Sequence, residues 1–219
     1  MLLSQITVHF TSFVISFILS FTNIGCNSRT NTTTVPVLSE QKSNTDILPG
    51  AFRFDKYLPL IKGKSIAIFA NQTTIVGNKH LIDTLKSLGV TPKKVFSPEH
   101  GFRGTADAGE TVGNYIDQKT GVAIISLYGN KKKPSADDVK DIDILMFDMQ
   151  DIGVRYYTYI SSLQDYIEAA IAYKNPVIIL DRPNPNGFYV DGPVLNMKYK
   201  SFIGMQPIPA VYGMTMVEY

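Results

Sequence analysis

The chain has 219 residues, 44% hydrophobic and 18% charged, with 21 Lys and Arg against 19 Asp and Glu for a net charge of +2. That is a globular composition, with material for one well-filled core and part of a second. It excludes the basic footprint of a nucleic-acid binder. The one basic run, Lys131-Lys132-Lys133, adjoins Pro134, has no interleaved aromatics and reads as a solvated turn, so no nucleic-acid partner is expected.

Residues 1–25 contain no Lys, Arg, Asp or Glu, and "VISFILSFTNIGC" reads as the apolar core of an export signal ending at Cys26. Gly25 directly before the single cysteine fits a lipobox, in which Cys26 is lipidated after cleavage and tethers the protein in the cell envelope, on the periplasmic side or at the outer membrane. The segment lacks a basic n-region, and Asn23 stands where Leu is commoner. A transmembrane anchor is the alternative, although Ser16, Ser20, Thr22 and Asn23 interrupt a stretch already short for a span. One cysteine allows neither an intrachain disulfide nor a Cys-based metal site. Residues 27–50 are polar, rich in Thr, Ser and Asn and without periodicity, which predicts a flexible leash.

From Lys64 onward apolar runs alternate with helical patterns. "KSIAIFANQ" predicts a buried strand, "KHLIDTLKSLG" a helix closed by Gly89, and "KKVFSPEH" a second strand. After a long loop come the strand "VAIISLYG", a short helix near "SADDVKDI" and the strand "DILMFDMQD". A longer helix is expected from the spacing of Tyr156, Ile160, Leu163, Ile167 and Ile171, and "PVIILDRPNP" is the fifth strand. Five apolar strands separated by helices predict an α/β fold over residues 51–195, a Rossmann-like parallel sheet with helices on both faces. In "GMTMVEY", Thr215 and Glu218 have capping-box spacing, so a helix is expected to begin there. Residues 196–219 then read as the start of a smaller C-terminal part that this sequence does not complete.

Ligands of such sheets bind at the carboxyl ends of the strands. Those ends are polar: Asn71 and Gln72; Glu99 and His100; Tyr128; Asp148, Gln150 and Asp151; Asp181, Arg182 and Asn184. Any one of these is an ordinary cap or turn residue; their convergence on one rim argues for a site. There is no phosphate-binding glycine loop after the first strand, no nucleophile elbow, and no His at metal-ligand spacing, so neither cofactor nor metal is expected. Carboxylates remain as acids and bases. Glu99 follows Pro98 in "FSPEHGFRG", and desolvation at a strand end would raise its pKa and let it donate a proton near neutral pH. Asp148 and Asp151 are candidates for the second carboxylate that glycoside hydrolysis requires. Arg103, Arg155 and Arg182 either fork onto a substrate carboxylate or pair with Asp148, Asp151 and Asp181. Tyr156, Tyr157 and Tyr159 offer rings for a sugar face, or core.

"LPLIKGKSIAIFANQTTIVGNKHLIDTLKSLGV", "FSPEHGFRGTADAGE", "ISLYGNKKKPS", "FDMQDIGVRYYTYISSL", "LDRPNPNGFYVDGPVL" and "FIGMQPIPAVYGMT" resemble the exo-β-N-acetylmuramidase family of the NamZ type, from about Leu48 to the last residue. The sequence departs from the family at Val217, where glycine is usual. The resemblance implies a Rossmann-like domain followed by a smaller one, with a cleft between them. It also implies release of N-acetylmuramic acid from the non-reducing end of peptidoglycan fragments. By the same resemblance Glu99 is the general acid beside His100. Asp148, Asp151 and Arg155 are the site residues of the D-x-Q-D-x-G-x-R motif, and Asp181, Arg182 and Asn184 those of L-D-R-P-N-P. Gln150 and Tyr157 complete the set near the sugar. The alternatives are a non-catalytic muropeptide-binding lipoprotein and, more weakly, a carboxylate-based amidase or esterase.

Overall fold

Ile66–Ala70 is a run of five fully buried residues, and such a run is stable only as a central strand covered on both faces. A computed structural model, describing residues 47–104 and 113–219, shows that arrangement. A 3-10 turn at Gly50–Phe52 leads into α1 (Phe54–Ile61), followed by β1 (Ile66–Ala70). A small antiparallel pair, β2 (Ile75–Val76) and β3 (Lys79–His80), precedes α2 (Leu81–Ser87). Then come β4 (Lys94–Ser97), β5 (Tyr115–Ile116), β6 (Ala123–Ser126), α3 (Ala136–Val139), β7 (Ile144–Asp148), α4 (Tyr159–Tyr173) and β8 (Val177–Ile179). Cys26 and most of the expected leash lie outside the described residues; of its last residues, Gly50 donates its N–H to the carbonyl of Asp181 at 2.6 Å.

The sheet order is β5-β6-β4-β1-β7-β8. The five strands expected from the sequence are all present and mutually parallel; counted alone they run 3-2-1-4-5, the Rossmann order. β5 is an antiparallel edge strand on β6. Side chains alternate across the sheet: Ile66, Ile68 and Ala70 enter the core under α1 and α2, while Ala67 and Phe69 enter the core under α4. Tyr166 of α4 is fully buried, its ring 5.2 Å from Phe69 and 5.8 Å from Phe96.

The periodicity of α4 is turned relative to its sequence reading. Ile160 and Leu163 are buried as expected, but Ile171 is 72% exposed and Tyr156 precedes the helix. Tyr159, Tyr166 and Ala170 join Ile160 and Leu163 in the core on this side, Ile167 packs against it, and the Tyr166 ring lies against Phe69 and Phe147. Helix α1 escaped the sequence reading; Pro59 lies inside it and interrupts an otherwise amphipathic stretch. At the other end, the Thr215–Glu218 capping box forms: Glu218 accepts from the Thr215 N–H at 2.8 Å, and the Glu218 N–H reaches Thr215 Oγ1 at 3.4 Å. Tyr212 and Met216 from this region join the α4-side core.

Candidate active site

β4 delivers its chain to the carboxyl edge of the sheet, where "SPEHG" must turn at once. The Gly101 N–H returns to the Pro98 carbonyl at 3.2 Å, with His100 at φ 68° and Gly101 at φ 74°. A left-handed backbone at a non-glycine residue is uncommon and stores strain that the surroundings must hold. The turn presents Glu99 and His100, both half-buried, to a cleft of about 620 Å³. In the register Ser97 lies opposite Ser126, so Glu99 and Tyr128 leave their strands at equivalent positions. The Tyr128 hydroxyl donates to Glu99 Oε1 at 2.9 Å. That bond to Glu99 raises the Tyr128 pKa above its ordinary value.

One wall of the cleft is the approach to α4: Tyr156, Tyr157, Thr158 and Tyr159, with Tyr157 and Tyr159 edge to face at 4.7 Å. Ser201, Phe202 and Ile203 also line it, in a tight turn where Ser201 and Gly204 exchange backbone hydrogen bonds at 3.0 Å. Lys132 completes the rim, its ammonium 4.0 Å from the Phe202 ring centroid. Aromatic rings beside a carboxyl group give the cleft faces for stacking a ligand ring and a group able to exchange a proton with it. Among the described residues, no three His, Cys, Asp or Glu side chains gather as a metal site would require.

Of the residues singled out by sequence, Glu99, His100, Tyr128, Tyr156, Tyr157 and Tyr159 line this cleft together. The others lie around or beneath it. Asp148 is fully buried and held by Arg182, whose Nε donates at 2.6 Å and Nη2 at 3.0 Å. Burial pushes the Asp148 carboxyl up, and the guanidinium draws it partly back. Asp151 is 3% exposed and accepts from the Tyr212 hydroxyl and, at 2.7 Å, from the Gly153 N–H; burial raises its pKa as well. Asn71 at the end of β1 accepts the Thr73 hydroxyl at 2.6 Å, and Thr73 Oγ1 in turn accepts the Gln150 N–H at 2.8 Å. This knot fastens the ends of β1 and β7. The Gln150 side chain is spent on the carbonyls of Asp151 and Pro183.

Among the three arginines only Arg182 takes the expected pairing, on Asp148; Arg103 and Arg155 bind groups that the sequence reading did not name. Arg103 pairs with Asp117 at 2.9 Å and Asp83 at 3.2 Å, in a depression separate from the cleft. Arg155 donates to the carbonyls of Pro193 and Ile208 at 3.1 and 2.5 Å, binding the 191–211 region to its own loop. Asn184 donates to the Met214 carbonyl at 2.8 Å and fills the space above Gly153. Sequence reading missed Lys132 and Phe202. Lys132 lies within a run that composition marks as solvent-facing, and Phe202 is some seventy residues downstream with no pattern linking it to the site.

The chain is 46% identical over 165 residues to the peptidoglycan β-N-acetylmuramidase NamZ of Bacillus subtilis (strain 168), covering 74% of this chain and 40% of that protein. Two solved DUF1343 family proteins of Bacteroides fragilis share the fold. One is 50% identical with a TM-score of 0.68, the other 36% identical with a TM-score of 0.66; each match covers 78% of this chain, and 45% and 44% of theirs. The chain thus spans less than half the length of these relatives. Residues 66–219, more than half of the chain, match the family described as exo-β-N-acetylmuramidase NamZ, N-terminal, and the chain belongs to that family.

Proposed function

We propose that this chain provides the sugar-binding cleft and the proton donor of an exo-acting β-N-acetylmuramidase, which removes N-acetylmuramic acid from the non-reducing end of peptidoglycan fragments. The observation that carries the reading is Glu99, held by Tyr128 at the edge of an aromatic-walled cleft in a family named for this activity. In this mechanism the Glu99 carboxyl gives its proton to the glycosidic oxygen as the bond to the anomeric carbon breaks; a water molecule then gives its hydroxyl to that carbon and its proton restores the Glu99 acid, while His100 borders the same space. Asp148 and Asp151, buried in their own hydrogen bonds, act as scaffold beneath the rim.

The protein is exported and, through a lipid on Cys26, held in the cell envelope, where its substrate is made; the apolar segment before Cys26 supports this. The test is incubation with peptide-free peptidoglycan glycans followed by mass spectrometry. Release of N-acetylmuramic acid monosaccharide from the non-reducing end supports the reading. Binding of the glycan without any hydrolysis supports a muropeptide-binding lipoprotein instead. Metabolic labelling with a fatty-acid analogue, lost in Cys26→Ala, tests the tether.

A further inference from the structure

We infer that Lys132 is the specificity residue of the cleft, reading the lactyl carboxylate that distinguishes N-acetylmuramic acid from N-acetylglucosamine. The inference deepens the reading above and rests on it. The three consecutive lysines of the loop after β6 have different surroundings. Lys131 pairs with Asp138 at 2.5 Å, and Lys133 pairs with Glu168 at 3.1 Å, so both neighbours are tied to the helices α3 and α4. Lys132 has no carboxylate within ion-pair distance among the described residues; its charge acts on Asp165 only from beyond that distance, and it lines the cleft. It is the one Lys or Arg among the described residues lining that cleft.

Its ammonium is held 4.0 Å from the Phe202 centroid and 5.9 Å from that of Tyr128, the residue that binds Glu99. A cation over aromatic faces keeps its position while retaining donor hydrogens for an anion. Pinning its neighbours also lowers the entropy that a free lysine would lose on binding. Thr158 and Tyr159, at the N-terminus of α4, line the same cleft, and no acidic residue occupies the first turn of that helix. The positive end of its dipole therefore adds to the field of Lys132. The cleft thus offers a positive charge in the same space as the proposed acid, and a sugar carrying a carboxylate is the ligand whose chemistry answers both. The three arginines considered from sequence are engaged elsewhere and do not supply this charge.

The experiment is calorimetric titration of the protein and of Lys132→Met and Lys132→Arg with N-acetylmuramic acid and with its lactamide, which has the same shape but no charge. The wild type is expected to bind the acid about tenfold or more tightly over the amide, the scale of one charge-assisted hydrogen bond at a half-exposed site. Lys132→Met should bring that ratio close to one, Lys132→Arg should keep most of it, and added salt should reduce it. A preserved ratio in Lys132→Met, or a wild type that does not favour the acid, overturns the inference. If the ratio behaves as expected but no glycan is hydrolysed, Lys132 stands as the anion reader and the proposed enzymatic activity fails.

Discussion

Tyr128 and Glu99 emerge at matching positions of two neighbouring parallel strands and meet in a 2.9 Å hydrogen bond in the lining of the cleft. The bond makes Tyr128 a positioning residue for the proposed acid. Tyr128→Phe keeps the ring under Lys132 and removes only the hydroxyl. Steady-state kinetics should show kcat lowered about 3- to 30-fold with KM little changed, since a partly exposed hydrogen bond to an ionisable group has a modest net worth. A change in KM alone would assign Tyr128 to substrate binding instead.

The Asp148–Arg182 pair predicts a stability phenotype. It joins the end of β7 to the chain leaving β8, and Arg182 also donates to the Ile75 carbonyl at 3.1 Å. Removing one partner strands a buried charge, typically costing about 3–5 kcal/mol. Asp148→Asn and Arg182→Met should each lower the urea midpoint substantially, and the double variant should lose less than the sum of the two. Native stability in Asp148→Asn combined with lost hydrolysis would instead mark Asp148 as catalytic.

Gly153 and Asn184 belong to different motifs but fit together. A Cβ on Gly153 would lie 2.3 Å from the Asn184 amide nitrogen, and the residue has φ 72°. Gly153→Ala combines a left-handed backbone with a collision against a side chain fixed by Met214 and Asn186. Gly77, at φ 61° in open space, isolates the backbone contribution, about 1–2 kcal/mol. Gly153→Ala should destabilise clearly more than Gly77→Ala in parallel urea unfolding; equal losses would mean that Asn184 yields freely.

The sheet was legible because each parallel strand is an apolar run bounded by Gly, Pro or polar residues, and burial on both faces leaves little ambiguity. The short pair β2 and β3 and the edge strand β5 were not, since two-residue strands have no period to detect. Glu99, His100 and Tyr157 were legible as strand-end or pre-helix residues that the sheet must bring to one edge. The arginines were not, because a guanidinium serves a ligand or a carboxylate partner equally well until the fold chooses. Lys132 was hidden by its neighbours: the same three letters pair with α3, line the cleft and pair with α4 in turn.

His80 makes acid sensitivity testable. It is 6% exposed, its Nε2 lies 2.8 Å from the Asn71 carbonyl, and its Nδ1 accepts the Ile82 N–H at 3.3 Å, which fits a neutral ring capping α2. Burial lowers its pKa from 6.5 to about 4. Below 6.5 the unfolded chain binds a proton that the native ring refuses, so this contribution is present above 6.5 and is lost as pH falls towards 4. The loss amounts to roughly 3 kcal/mol. His80→Asn, which keeps a cap acceptor, should show a shallower fall in stability between pH 6.5 and 4 than the wild type. Parallel curves would remove His80 as the cause.

Glu99→Gln tests the central claim most directly, because the amide keeps the shape and most contacts of the acid while removing its proton. Hydrolysis of a muramyl disaccharide, whose leaving group needs protonation, should fall by about 10²–10⁴-fold in kcat with KM similar, and the fall should be smaller for a nitrophenyl muramide that leaves unaided. Near-native turnover of the disaccharide by Glu99→Gln would contradict the account and make Glu99 a structural residue of the β4 turn.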